Sequence, residues 1–310
     1  MSVQSIAKID FKPVALSDKD LYENYLSESG ERGCEFSFAN LYLWGMQNFA
    51  HLHGQILIFS QFGRARIYPY PVGNGDKRAA IEAILADAHE RGIRCRITGL
   101  SDAAMNELEA LFPGRFRFQC SDGSSDYVYD INDLADLKGK KYHAKRNHLN
   151  RFTEAFPNYR VEELNEQNLP RVKQMAEDWY QTRLAEDPNS DFHFEREALQ
   201  KALLDYRALD MEGLVLLDGE EILAFTLASR LSGDTFDVHF EKARADIQGA
   251  YAAINCHMAR HIREKYPEVR YLDREEDMGI EGLRRAKLSY YPHHRIQKCS
   301  ATLMEEDHED

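Results

Sequence analysis

The sequence predicts an α/β fold with mixed sheets, built as two similarly organised halves. Two segments carry that expectation. Between Ile67 and Thr98 an apolar run (Ile67 to Tyr70) is followed by a turn with Gly73 and Gly75, a helical stretch (Asp76 to Glu90), Gly92 and a short strand-like run (Ile93 to Thr98). Between Phe236 and Asp273 the order recurs: an apolar run to Phe240, a loop ending in Gln248 and Gly249, a helical stretch (Ala250 to Lys265), Pro267 and Val269 to Asp273. A length of 310 residues agrees, since it allows each half its own core.

The elements follow from local pattern. Phe36 to Trp44 is too densely apolar for a surface segment and reads as buried helix or turn. Gln55 to Ser60 and Arg64 to Tyr70 are rich in β-branched and aromatic residues around Gly63, which predicts a hairpin. In the helix from Asp76, Ile81, Ile84, Leu85 and Ala88 recur on one face and Gly92 stands at the C-terminal cap position. Ser101 and Asp102 can cap a further helix to Leu111, and Asp126 to Ile131 reads as the strand that closes the first half.

From Lys138 to Arg151 the chain carries six Lys or Arg, two His and no acid. The run is predicted helical from Lys141, with Tyr142, Leu149 and Phe152 facing a core. The second half opens with a strand (Arg160 to Glu163) and two helices (Leu169 to Arg183, Phe194 to Leu209) around the loop Ala185 to Asp191. A three-stranded meander then follows (Leu214 to Leu217, Ile222 to Arg230, Thr235 to Glu241), with turns at Asp218-Gly219 and Ser232-Gly233-Asp234. The expected division is 1–136 for the first domain, 137–155 for a basic connector helix, 156–304 for the second domain and 305–310 for an acidic tail.

Composition excludes several classes. At 43% hydrophobic and 29% charged residues the chain is of ordinary globular type, and its apolar stretches fall short of the roughly 20 residues a membrane helix needs. Residues Met1 to Asp10 lack a basic start followed by an apolar core, so a cytoplasmic location is expected. The formal charge of −13 opposes non-specific adhesion to nucleic acid, which makes the Lys138–Arg151 reversal of sign the more informative. Five scattered cysteines, with no C-x-x-C pair, argue for buried small side chains and against a disulfide framework or a zinc site. His257 and His261 are four apart on one helix, but Met258 stands where a zinc protease has Glu, and no metal is expected.

The chemistry-bearing positions cluster in the second half. Asp237, His239 and Glu241 alternate with Val238 and Phe240, so strict alternation gives the three one sheet face, either a general-base cluster or a solvent-exposed surface. Arg274, Glu275, Glu276 and Asp277 follow the next strand, where α/β sheets bind ligands, or else cap the helix beginning near Ile280. The helix that starts after Gly249 offers orphan amides to a phosphate. Lys140, Lys141, Lys145, Arg146 and Arg151 can contact nucleic-acid phosphates, or neutralise acids of the neighbouring half.

The loop from Glu241 to Ala250 resembles the donor-binding loop of the GNAT acyltransferases, which implies that Arg244, Gln248, Gly249 and Ala250 hold the donor. Asp246 stands where that family has Arg or Gln, and Tyr251 where it has Gly or Ala. Over nearly the whole chain the sequence is similar to the soluble C-terminal part of phosphatidylglycerol lysyltransferases, relatives of the Fem-type transferases. Leu137 to His148, Phe36 to Trp44 and Gly282 to Pro292 carry this likeness, with Lys287 and Pro292 five apart as in that family. The chain departs from it at Asp273 to Asp277, and the membrane domain of that family is not expected here.

The resemblance implies two tandem GNAT-like domains, with aminoacyl-tRNA, or failing that acyl-CoA, as donor substrate and no tightly bound cofactor. It makes tRNA a possible partner and leaves acceptor and oligomeric state open. Lys287 is the expected oxyanion stabiliser, with Asp237, His239 and Glu241 as base candidates. The alternative is a non-catalytic module that binds a phosphate-bearing ligand through the same fold.

Overall fold

The structure, a computed structural model, describes residues 9–186 and 192–304. The acidic tail, most of the loop Ala185 to Asp191 and the first eight residues, on which the expectation about the amino terminus largely rests, lie outside them.

Two compact units form among the described residues: 9–125 with 296–304, and 126–186 with 192–295. The first contains β1 (Lys12–Pro13), α1 (Lys19–Ser29), α2 (Phe38–Leu43), β2 (Met46–Leu52), β3 (Gln55–Phe62), β4 (Ala65–Pro69), α3 (Lys77–Glu90), β5 (Arg96–Leu100), α4 (Asp102–Leu111) and β6 (Phe116–Cys120). The second contains β7 (Asp126–Asp130), α5 (Ile131–Asp136), α6 (His143–Ala155), β8 (Arg160–Glu163), α7 (Leu169–Glu186), α8 (Phe192–Asp205), β9 (Glu212–Asp218), β10 (Glu221–Arg230), β11 (Thr235–Ala243), α9 (Ala250–Lys265), β12 (Tyr271–Asp273), α10 (Glu281–Leu288) and β13 (His294–Ile296). A last strand, β14 (Cys299–Leu303), belongs to the first unit's sheet.

Among the described residues the sheets have seven strands each, in the orders β1-β2-β3-β4-β5-β14-β6 and β13-β7-β12-β11-β10-β9-β8. The strand–loop–helix–strand repeat is present in both. It supplies the parallel pairs β4 with β5 and β11 with β12, while the other described pairings are antiparallel. The predicted caps form as well, since Ser101 accepts the Ala104 amide and Gly92 takes the left-handed conformation at φ 64°; Asp76, expected within the helix, caps it instead by accepting the Ala79 amide.

Three expectations are corrected. The strand at Asp126 does not close the first half, because it pairs with β12 in the second sheet, so the unit boundary falls before residue 126 and not at 136. The terminal strand β14 pairs with both β5 and β6, so the second unit ends at 295 and the first is completed by the end of the chain. Cysteine pairing does occur. Cys299 lies opposite Cys120 in the β14–β6 register, Cα atoms 4.2 Å apart, and the two form a disulfide. A separation of 179 residues hides that pair from any local spacing rule. Cys34, Cys95 and Cys256 are buried and outside the disulfide, as expected.

The second unit's core explains its strongest sequence constraint. α6 and α9 pack on one face of the sheet through Phe152, Ala250, Ala253, Ile254 and Met258, all at most 1% exposed. Gly249, at φ 87°, begins α9, and a Cβ there would come within 2.1 Å of the His148 carbonyl oxygen of α6. Gly249→Ala should therefore cost on the order of 2–4 kcal/mol, left-handed strain plus a backbone clash, whereas Gly92→Ala, with open space around it, should cost only about 1 kcal/mol. Urea midpoints of the two variants measure the difference.

Glu212 is a second structural anchor of this unit. Burial pushes its carboxyl upward, but hydrogen bonds from His261, Tyr266 and Lys265 outweigh that and hold it down at about 2, below its ordinary 4.5. A depressed carboxylate stabilises the fold above its unfolded pKa and loses that contribution as pH falls through the folded value. Wild-type stability should thus drop between pH 4.5 and about 2 by an amount that Glu212→Gln lacks, as acid titrations of the two melting temperatures will show.

Candidate functional site

β11 does not alternate strictly. Opposite Leu227 and Ala228 of β10 stand Phe240 and Val238, so His239 is an extra residue in a β-bulge. The bulge divides the three predicted base residues. Glu241 turns toward α9, where Asn255 donates to it at 3.2 Å, while its neighbour Lys242 reaches Glu195 of α8 and lies 4.0 Å over the Trp179 ring of α7. Asp237 and His239 stay together elsewhere: His239 Nδ1 lies 3.4 Å from Asp237 Oδ2 and 3.5 Å from Glu275 Oε1, and Nε2 lies 2.7 Å from Ser229 Oγ. The expectation of one face bearing all three is therefore overturned by one inserted residue.

Around Glu241 the structure gathers side chains that the sequence reading left apart. Arg274, from the loop after β12, donates to Glu241 at 2.9 Å and packs its guanidinium over the rings of Tyr290 (5.0 Å) and Tyr129 (5.7 Å). Lys145 of α6 sits 3.8 Å over the Tyr290 ring. Burial, and then the nearby Arg274, push the Lys145 ammonium down to about 8 against the pull of Glu241. Thr226 lies opposite Glu241 in the β10–β11 register. Three buried atoms here, Arg274 Nη1, Asn255 Oδ1 and Thr226 Oγ1, have no hydrogen-bond partner among the described residues. A buried orphan of this kind costs about 1–3 kcal/mol, which makes this cluster the candidate site. Asn255 had a sequence signal, an amide inside the apolar run Ala252 to Cys256.

Lys287, the expected oxyanion stabiliser, has backbone partners. Its ammonium is buried and donates to the backbone carbonyls of Arg274 and Glu275, while Tyr129 donates to the carbonyl of Lys287 itself at 2.8 Å. Asp277 anchors the other end of the same loop: it accepts from Arg284, Tyr127 and the Gly279 amide, and Arg284 is the chief reason its carboxyl lies well below the usual range. Lys287 is thus placed to hold the loop that presents Arg274.

The basic stretch splits by role. Lys140 and Arg151 are exposed. Lys141 pairs with Asp133 at 3.1 Å, Arg146 donates to the Leu137 and Gly139 carbonyls, and Lys145 joins the Glu241 cluster. In the donor loop, Arg244 is held by Asp246 at 2.8 Å and Glu221 at 3.0 Å, and Ala250 is fully buried. α6 lies against Gly249, so the start of α9 is less open to a phosphate than its sequence implies. Arg151, Phe156, Arg244 and Gln248 line one cleft of about 380 Å³. His257 meets Tyr159 at 2.9 Å and His261 meets Glu212 at 2.7 Å, so these two serve the fold. No helix among the described residues is long and apolar enough to cross a membrane.

Comparison with known proteins bears on this geometry. The family model for the phosphatidylglycerol lysyltransferase C-terminal region matches residues 27–302. A conserved protein of unknown function from Bacteroides thetaiotaomicron is 37% identical, with a TM-score of 0.89 over 96% of this chain and all of that one. L-PGS from Bacillus licheniformis is 19% identical with a TM-score of 0.66, covering 92% of this chain and 91% of that chain, and FemX is 10% identical with a TM-score of 0.57, covering 96% and 98%. These last two likenesses show the fold alone, and that fold is the tandem GNAT-like one. An uncharacterized protein of Mycoplasmoides gallisepticum is 24% identical over 180 residues, so the match spans 57% of this chain and about half (56%) of that protein's length.

Replacing Lys287 by Met should leave two buried carbonyls without their donor and lower stability by about 2–4 kcal/mol. A denaturation midpoint equal to wild type would show instead that the ammonium is dispensable to the loop.

Proposed function

Since the chain belongs to the phosphatidylglycerol lysyltransferase C-terminal family, we propose that it transfers an aminoacyl group from aminoacyl-tRNA to an amine or hydroxyl acceptor, with the Glu241 cluster receiving the aminoacyl end. The observation that carries this reading is the pair of unmet groups beside one carboxylate: the donor Arg274 Nη1 and the acceptor Asn255 Oδ1, flanking Glu241. An aminoacyl ester offers the complement, a carbonyl oxygen for the guanidinium and an α-ammonium for the amide oxygen and Glu241. A plain acyl group lacks the ammonium. The Arg244–Asp246 ion pair also counts against the pyrophosphate of an acyl-CoA, because the one loop arginine is already neutralised.

In the proposed step the acceptor nitrogen or oxygen forms a bond to the ester carbonyl carbon, and the bond from that carbon to the ribose oxygen breaks. Arg274 stabilises the oxyanion that develops between the two events. Lys145, with a neutral fraction near physiological pH, takes the acceptor's proton, and a proton is returned to the departing ribose hydroxyl. Lys140 and Arg151 would meet tRNA phosphates with a salt-dependent affinity.

The test is equilibrium binding of total aminoacyl-tRNA and of deacylated tRNA across a salt series, with acetyl-CoA as competitor. Aminoacylated tRNA should bind at least ~10-fold more tightly than deacylated, Arg274→Gln should erase that preference, and Lys140→Glu with Arg151→Glu should weaken both and flatten the salt slope. Equal affinity for charged and uncharged tRNA, or displacement by acetyl-CoA, would sink the proposal.

A further inference from the structure

The cluster left on the other side of the bulge has a geometry of its own. His239 Nδ1, Asp237 Oδ2 and a Glu275 carboxylate oxygen lie within 4.8 Å of one another, with separations from the ring nitrogen of 3.4 and 3.5 Å. Those lengths are long for charge-assisted hydrogen bonds, which run at about 2.7–2.9 Å. They match the edge of a coordination tetrahedron. With metal–ligand bonds of about 2.0–2.2 Å, neighbouring ligands of a four-coordinate ion stand about 3.3–3.6 Å apart.

A second observation concerns the other ring nitrogen. A ligating histidine donates its remaining N–H to an oxygen that fixes its tautomer, and Ser229 Oγ sits 2.7 Å from His239 Nε2. In the tautomer with its proton on Nε2, Nδ1 is the ring atom that faces the two carboxylates, the orientation a three-ligand site requires. The ligands are also held in place from behind. Asp273 accepts the Glu275 amide at 2.8 Å, and Glu275 takes φ 56°, a left-handed conformation that a glutamate adopts at a cost of about 1–3 kcal/mol. The Asp237 and His239 side chains are fully buried and that of Glu275 is 21% exposed, so the site is open on the Glu275 side.

We infer that Asp237, His239 and Glu275 bind one divalent cation of the zinc class, with the remaining position filled by water or by a ligand. The imidazole excludes calcium and magnesium, which take oxygen ligands, and the two carboxylates with one imidazole suit zinc. The cation would tie β11 to the loop after β12, next to Arg274. The inference rests on the cluster alone and stands whether or not the transfer reading does.

The experiment uses the full chain, stripped with chelator and dialysed, and titrates it with Zn²⁺ alone by calorimetry, followed by Co²⁺ with visible absorption as the readout of coordination number. One ion per chain should bind, with intense four-coordinate Co²⁺ bands. Glu275→Gln and His239→Gln should each weaken binding at least ~30-fold, and Ser229→Ala about 10-fold or more. Glu275 lies toward the solvent, so its variant keeps the test decisive if the buried His239→Gln chain fails to fold. Failure of the wild-type chain to bind Zn²⁺ overturns the site, and so does binding that Glu275→Gln leaves unchanged.

Discussion

One extra residue in one strand sets the chemistry of the second unit. Were β11 regular, Asp237, His239 and Glu241 would line one face and compete for the same partners. The bulge at His239 instead sends Glu241 to the α9 side, where Asn255 and Arg274 meet it, and leaves Asp237 and His239 with Ser229 and Glu275. Two polar clusters thus arise from five consecutive residues, and Lys242, one step further on, belongs to neither because it faces α7 and α8. A bulge raises local twist and re-aims side chains, which is why such features recur beside binding sites.

Much of the frame was legible because its signals are local. Turn glycines, the cap at Ser101 and the order of strands in the meander read correctly, since each depends on residues within a few positions. What was not legible depends on register. The pairing of β7 with β12, the insertion of β14 beside β5 and the Cys120–Cys299 disulfide join residues more than a hundred positions apart, and no periodicity reports them. The bulge is intermediate: the sequence from Thr235 to Ala243 alternates well enough to suggest a regular strand, and only the partner strand shows the extra residue. Arg274 was visible as part of a charged loop after a strand, but its role emerges from contacts to Glu241, Tyr129 and Tyr290 on other elements.

The two copies of the repeat use their helix starts differently, and composition explains how. In the first unit Asp76 caps α3, and Lys77, the first helical residue, donates to Gln55 and to the Pro71 carbonyl. That start is satisfied from within the unit. In the second unit α9 has no side-chain cap, and Gly249 leaves room for the backbone of α6. The glycine therefore serves a close approach of two helices rather than an approach of phosphate. A phosphate reading based on a glycine before a helix fails whenever another backbone occupies the space that the missing side chain vacates.

That close approach gives α6 its several uses. Phe152 anchors the helix in the core, and the fit at Gly249 fixes its height along α9. Lys145 is thereby carried over Tyr290 and beside Arg274, where loss of water lowers its affinity for a proton. Arg146, the next residue, points back to two carbonyls at the end of α5, and Lys140 and Arg151 remain outside. A stretch that looks uniformly basic is thus sorted by helical geometry into structural, candidate-site and surface charges. Within the site, burial and Arg274 lower the Lys145 ammonium more than the one nearby carboxylate, Glu241, raises it.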